Sequence, residues 1–248
     1  NFESRATIDV DFLLRGYSNS IDDVKNLICK IIDTPTGNDY IEMRAKGFEE
    51  ISPQRKNHGI STQIIAQIKN VRVPFNIDIG VGDIIFPRAE ERTINTQLPD
   101  FEAPVIKTYS LESTIAEKFD AILQRFELTG RMKDFYDIYY LSRTFNFDGE
   151  RLQSAIFNTL HRRGTPYDRD SFKRVVSLAD DEDMQKRWKY FLKTIKDDTL
   201  EFPFVIAEIQ TFLEPVFDAI VNEKEWQKQW TAKQNEWYCE DMLYEKDK

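Results

Sequence analysis

The sequence predicts an α/β (α+β) fold in which a small domain of strands and helices, residues 1–105, precedes a helical domain, residues 106–248. Apolar and polar residues alternate near the N-terminus, which is typical of half-buried strands. From Ser110 onward, apolar residues recur instead at helical spacing. The chain has only 9 glycines and 9 prolines among 248 residues, which disfavours an all-β protein full of tight turns.

The first domain is predicted to contain a strand over residues 6–14 and a helix over Ile21–Ile32, whose apolar residues lie on one helical face. A short apolar-polar stretch follows at residues 40–45. Strands over 61–68 and 71–79 are joined at Lys69-Asn70, which predicts a hairpin. A loop over 80–83 then leads into a connection marked by Pro87, Pro99 and Pro104.

The second domain is predicted to be helical throughout. The expected helices cover residues 111–127, 132–144, 150–161, 170–178, 182–196 and 204–222. A Trp-rich amphipathic tail follows, with Trp226 and Trp230 on one helix face. That face either packs against its own domain or binds a partner.

Composition excludes several classes of protein. A net charge of −9 and a pI near 5.0 do not suggest a non-specific nucleic-acid binder. Cys29 and Cys239 match no metal-ligand spacing, and the presence of only 2 histidines gives little support to a zinc site or a Ser-His-Asp triad. Without a run of about 18 apolar residues, we expect no membrane span and a soluble, cytoplasmic protein.

Three aspartates lie on predicted polar strand faces. Side chains alternate along a strand, so Asp9 and Asp11 project from one face. Asp78 lies on the polar face of the strand over 71–79. If the two strands are neighbours, the three carboxylates converge, and Mg²⁺ binds one or two carboxylates together with substrate phosphates. The alternative for such a pair of aspartates is a solvated strand edge.

Two helices each place a charge toward the apolar side. Lys118 lies at the edge of the inward face of helix 111–127, with Glu117 and Asp120 on the opposite, solvated side. Asp134 lies within the apolar arc of the next helix. These charges either form a polar cleft beside the three carboxylates or have structural roles. In the structural case the Lys118 stem covers the core, and Asp134 pairs with a nearby cation, Lys118, Arg125 or Arg131.

Four motifs resemble those of one family in order and spacing. The stretches RATIDVDF (5–12) and FNIDIGVGD (75–83) are similar to the strand motifs of AbiEii-type nucleotidyltransferases. The stretches YSLESTIAEKF (109–119) and RMKDFYDI (131–138) are similar to its helical motifs, and RWKYFL (187–192) resembles part of its C-terminal helices. These proteins are the toxin components of the AbiE class of bacterial toxin–antitoxin and phage-defence systems. The resemblance spans residues 5 to 195.

The resemblance implies a polymerase-β-like nucleotidyltransferase core with a C-terminal helical domain. It implies that Asp9, Asp11 and Asp78 hold Mg²⁺, with two ions in the site, and that Lys118 contacts the triphosphate of an NTP. Asp134 is implied as the essential acid of the last motif. The other implied nucleotide-binding residues are Thr7, Arg125, Arg131 and Lys133.

The function expected from this resemblance is Mg²⁺-dependent transfer of a nucleoside monophosphate from an NTP to an acceptor hydroxyl, at the 3′ end of a tRNA or another RNA. An antitoxin protein is an expected partner. The alternatives are a non-catalytic protein that binds nucleotide or an antitoxin, and transfer to a small molecule.

Relatives carry a Gly-Gly or Gly-Ser turn before the first strand motif. The chain starts without Met, close to its first strand, so we expect that it is a fragment and that this turn either precedes Asn1 or is absent.

Overall fold

The computed structural model describes residues 9–18, 20–35, 40–51, 59–81, 85–96, 100–197 and 199–239. The chain divides into two compact units, Ala6–Asp83 and a second unit from Ile84 onward. The predicted boundary after residue 105 falls later in the chain than this division. Residues 84–105 therefore group with the helices of the second unit.

The first unit is a four-stranded mixed sheet with one helix. The strands are β1 (Asp9–Leu14), β2 (Glu42–Ile51), β3 (Gly59–Ile68) and β4 (Val71–Val81), and the helix is α1 (Ile21–Ile32). Their order in the sheet is β1-β4-β3-β2, with β1 parallel to β4 and the other pairs antiparallel. The predicted helix and the predicted hairpin of β3 and β4 are confirmed.

The apolar face of this sheet forms a small core with α1. Ser20 caps the helix by accepting a hydrogen bond from the Asp23 amide, as short polar side chains do at helix starts. Val24 and Ile28 of α1 are buried in one cluster with side chains of β3 and β4. Because strand side chains alternate, the other face of the sheet carries the polar residues.

Two predictions for this unit are wrong in part. Gly80 and Val81 continue β4 rather than opening a loop, whereas residues 82 and 83 of that predicted loop lie outside the described residues. Residues 42–45 of the short stretch at 40–45 belong to the ten-residue strand β2. Most of β2 is exposed and rich in charge, and its register shifts next to Gly47, whose φ is 78°. A strand with these features lacks a regular alternation of apolar and polar residues, so the sequence pattern does not predict it.

The second unit contains all six predicted helices, each within a few residues of its predicted bounds. Ser110, Asp148 and Asp181 each accept a hydrogen bond from a first-turn amide, which explains three of the starts. The helices are α2 (Leu111–Arg125), α3 (Met132–Thr144), α4 (Gly149–Arg163), α5 (Ser171–Ser177), α6 (Glu182–Ile195) and α7 (Phe202–Val221).

An aromatic core holds these helices together. Phe217 of α7 packs edge-on against Phe119 of α2, with ring centroids 5.6 Å apart. Trp188 of α6 is buried and donates from Nε1 to the Leu200 carbonyl at 2.8 Å. Buried aromatic groups of this kind contribute much of a core's stability.

The predicted helical tail is wrong. Residues 229–231 form strand β8, which pairs with the two-residue strand β7 (Phe147–Asp148), and residues 236–238 form β9, which pairs with β8. Trp230 is nonetheless buried in the core of its own unit, and its Nε1 donates to the Ser142 carbonyl at 2.7 Å. The packing alternative for Trp230 is therefore confirmed, on a strand instead of a helix.

A second hairpin went unpredicted. Strands β5 (Glu90–Thr93) and β6 (Val105–Thr108) pair antiparallel across the proline-marked connection. The segment before them is anchored to α2, because the Phe86 carbonyl accepts from Ser110 Oγ at 2.5 Å and from Ser113 Oγ at 3.1 Å. The predicted fold class, an α+β protein with a helical C-terminal part, is confirmed.

Candidate functional site

The polar face of the first sheet carries the three predicted carboxylates. In the parallel pairing of β1 with β4, Asp11 lies opposite Asp78 and Asp9 lies opposite Asn76. Partners in register point to the same side of a sheet, and neighbouring strands are about 4.8 Å apart. The condition set by the sequence, that the two strands are neighbours, is met.

Two neutral side chains donate hydrogen bonds to these carboxylates. Ser61 Oγ donates to Asp78 Oδ1 at 2.5 Å, and Asn76 Nδ2 donates to Asp9 Oδ1 at 3.3 Å. The sequence analysis did not single out Ser61. A two-residue turn at Lys69-Asn70 pairs Ile68 with Val71, and counting back along both strands places Ser61 opposite Asp78, as observed. The hairpin register could therefore have identified it.

The three carboxylates do not form a closed protein cage for a metal ion. Among the residues described, no group of three or more His, Cys, Asp and Glu side chains is arranged to hold a metal ion. Asp11 and Asp78 nevertheless face each other across adjacent strands, and like charges in that position destabilise a sheet. Mg²⁺ uses one or two carboxylates and completes its shell with water and substrate phosphates, so this pair suits it.

A second charged group joins α2 and α3. Lys118 Nζ lies 2.7 Å from Asp137 Oδ2 and 3.5 Å from Asp134 Oδ1. Arg131 holds the other side of Asp134, with Nε 2.5 Å from Oδ2. The predicted inward positions of Lys118 and Asp134 are confirmed, and they form the ion pair that the structural alternative proposed.

Burial distinguishes the members of this group. The Asp134 side chain is fully buried, whereas 18% of the Lys118 side chain and 42% of the Arg131 side chain are exposed. A buried carboxylate requires paired cations and hydrogen bonds. Asp134 is thus placed to orient Lys118 and Arg131. In the pair of Lys118 with Asp134, Lys118 is the side chain that solvent or a ligand can reach.

The predicted solvated side of α2 is wrong for Asp120, which is fully buried. It accepts hydrogen bonds from Arg163 Nη1 and Gln124 Nε2, each at 3.0 Å, and from the Thr165 hydroxyl. Glu117 is only partly exposed and pairs with Arg163 at 3.5 Å. The reason is that α4 packs against this side of α2, so both sides of the helix are covered.

The structure gives less information on the three remaining predicted nucleotide-binding residues. Thr7 lies outside the described residues. Arg125 and Lys133 are exposed. The predicted proximity of Lys118 and Asp134 to the three carboxylates stays a prediction.

Two tyrosines of α3 have perturbed acidity. Burial raises the pKa of Tyr136, and the carboxylates of Asp197 and Asp137 raise it further. Burial also raises the pKa of Tyr139, with the Arg143 guanidinium opposing the shift. Both phenols therefore stay protonated at neutral pH, where they act as hydrogen-bonding and packing groups.

None of the helices in the described ranges is both long and apolar enough to cross a membrane. The cytoplasmic location stays a prediction.

Comparisons with known proteins give a family and two similar structures. A search of curated proteins finds no relative of the chain. JHP933 from Helicobacter pylori is similar in structure, with a TM-score of 0.43 and 11% identity over 89% of this chain and 79% of that one. A candidate nucleotidyltransferase from H. pylori has a TM-score of 0.44 and 10% identity over 90% and 83% of the two chains. At this level of similarity neither structure carries information on function.

The sequence comparison is more specific. The family described as the nucleotidyl transferase AbiEii toxin of type IV toxin–antitoxin systems matches residues 1–223, which include both charged groups described above. The chain therefore belongs to the AbiEii family of nucleotidyl transferase toxins.

Proposed function

We propose that this protein catalyses Mg²⁺-dependent transfer of a nucleoside monophosphate from an NTP to an acceptor hydroxyl at the 3′ end of an RNA, with tRNA as the expected acceptor. The observation that carries the proposal is the register of β1 with β4, which sets Asp11 opposite Asp78 with Asp9 on the same strand face. The RNA acceptor follows from the family resemblance, since some relatives modify tRNA 3′ ends.

Asp9, Asp11 and Asp78 would hold two Mg²⁺ ions between them, with one or two of the carboxylates on each ion. Bound Mg²⁺ would supply Lewis acidity, which lowers the pKa of the attacking hydroxyl and neutralises phosphate charge. The acceptor oxygen forms a bond to the α-phosphorus while the bond from that phosphorus to the β-bridging oxygen breaks. Pyrophosphate leaves, and Asp78 accepts the hydroxyl proton.

Lys118 would bind the triphosphate. Its ammonium has three N–H donors, and the structure gives it two carboxylate partners, Asp137 and Asp134. One donor thus remains for a phosphate oxygen. Holding the lysine between two carboxylates fixes its position before the nucleotide binds, which reduces the entropic cost of binding.

Membership of the AbiEii family also suggests a role in the cell. The family description names the toxin of a type IV toxin–antitoxin system, which implies an antitoxin partner. We propose that the transfer reaction is the toxic activity and that it serves phage defence.

The experiment is a transfer assay with full-length protein, α-labelled NTPs, Mg²⁺ and bulk RNA. We expect labelled RNA with the wild type and a loss of about 10²- to 10³-fold for Asp11→Asn, because a metal contributes several kcal/mol and each 1.4 kcal/mol is tenfold. Asp22→Asn removes an exposed carboxylate from α1 of the same unit and is the matched control.

The other outcomes identify the alternatives. Label on small hydroxyl compounds and none on RNA would assign a small-molecule acceptor. Nucleotide binding without transfer, unaffected by Mg²⁺, would show a non-catalytic binding protein. An Asp11→Asn variant as active as Asp22→Asn would refute the assignment of the site.

A further inference from the structure

Ser61 and Asn76 each lie on the strand next to that of the carboxylate to which they donate. Ser61 belongs to β3 and pairs in register with Asp78, and Asn76 belongs to β4 and pairs in register with Asp9. Each donates a hydrogen bond to its partner, at 2.5 Å and 3.3 Å. The family resemblance assigns no role to either side chain.

We propose that Ser61 and Asn76 are positioning residues of the divalent-cation site, with Ser61 the more important. This inference rests on the proposed function, since it requires that Asp78 and Asp9 bind the cation. Both donors are half-buried, but the Ser61 bond is 2.5 Å long and the Asn76 bond 3.3 Å, so the Ser61 bond is the stronger of the two. Partners of this kind orient metal ligands, and their loss costs about 10- to 100-fold in metal affinity.

The chemistry of the donors suits the role. A hydroxyl that donates to Oδ1 fixes the rotation of the Asp78 carboxylate. Among the described residues, none hydrogen-bonds to its Oδ2, which is therefore available to a cation. A Lys or Arg in place of Ser61 would also fix the carboxylate, but its positive charge would repel the metal. A neutral donor orients the ligand without this penalty.

The hydrogen bond from Ser61 to Asp78 also bears on the repulsion between Asp78 and Asp11 in the sheet. Asp11 and Asp78 face each other, and no cationic side chain lies in register with either on the neighbouring strands. The Ser61 hydroxyl donates to one oxygen of Asp78 without adding a positive charge to the site. The sheet can thus keep both carboxylates while leaving their charge to attract a divalent ion.

The test is a titration of the full-length protein with Mn²⁺ in the absence of NTP, in which electron paramagnetic resonance measures the bound Mn²⁺. Asp11→Asn identifies the part of the signal that belongs to this site. We expect Ser61→Ala to weaken the Mn²⁺ affinity of this site about 10- to 100-fold. Ser61→Thr keeps the hydroxyl and suits a strand, so its Mn²⁺ affinity should stay within about threefold of wild type. Gln63→Ala is the matched control, because Gln63 lies on the same face of β3.

Each outcome is decisive. Ser61→Ala with wild-type Mn²⁺ affinity, or Ser61→Thr as weak as Ser61→Ala, would overturn the positioning role and leave the proposed function intact. A wild type that shows no Asp11-dependent Mn²⁺ signal would overturn the proposed metal site and this inference with it. Equal thermal midpoints of Ser61→Ala and Gln63→Ala would show that weaker binding is not caused by unfolding.

Discussion

Replacing Asp134 by Ala tests whether the α2–α3 ion group holds the second unit together. The Asp134 carboxylate is fully buried between Arg131 Nε at 2.5 Å and Lys118 Nζ at 3.5 Å. Removing one partner from a fully buried pair costs about 3–5 kcal/mol. Arg131 is 42% exposed and Lys118 keeps Asp137, so hydration and the second pair offset part of this cost. We expect a loss of about 2–3 kcal/mol.

The assay can isolate the unit concerned. All 4 tryptophans of the chain lie after residue 187, within the unit that begins at Ile84. Denaturant unfolding followed by tryptophan fluorescence therefore reports on that unit. The control is Asp170→Ala, whose pair with Lys173 is 71% and 76% exposed, so that solvent screens it and its loss is expected to change stability little.

Two results would refute the reasoning. If the free energy of unfolding of Asp134→Ala lies within about 0.5 kcal/mol of the wild-type value, the buried pair does not stabilise the unit. If the control loses as much stability as Asp134→Ala, burial does not determine the strength of these pairs.

Three further predictions concern the second unit. Gly149→Ala should lose about 1–3 kcal/mol of stability, because an added Cβ would lie 2.4 Å from the Lys228 carbonyl oxygen; unchanged denaturation would contradict this. Trp230→Ala should lose about 3–5 kcal/mol, as the side chain is 1% exposed and bonded through Nε1; a smaller loss than for Gly149→Ala would be the contrary result. The raised pKa values of Tyr136 and Tyr139 mean that their contribution is complete below about pH 10 and is lost as pH rises further. Replacing both by Phe should therefore flatten the fall in unfolding free energy above about pH 10, and a fall as steep as in the wild type would count against the shifts.

Local pattern was sufficient wherever burial follows the period of the element itself. The helix over Ile21–Ile32 has the predicted bounds, and the six later helices lie within a few residues of theirs. The hairpin of β3 and β4 was predictable because two alternating runs flank a two-residue turn. That turn fixes the register, and the register places Ser61 opposite Asp78.

Local pattern failed where another element determines burial. Asp120 is buried because α4 covers a side of α2 that the helical wheel assigns to solvent. The tail was predicted as a helix because Trp226 and Trp230 are four residues apart, but its strand β8 pairs with residues 147–148, more than 80 positions earlier. A single-sequence period contains no information on such distant partners.

Sequence periodicity was enough to place Asp9 and Asp11 on one strand face and Asp78 on a polar face, and to turn Lys118 and Asp134 inward. The folded chain was needed to show that β1 lies parallel to β4 with Asp11 opposite Asp78, and that Lys118 lies closer to Asp137 than to Asp134. The physical reason is that side-chain direction follows from the dihedral period of each element, whereas the partner that a side chain meets depends on which elements bury their apolar faces together.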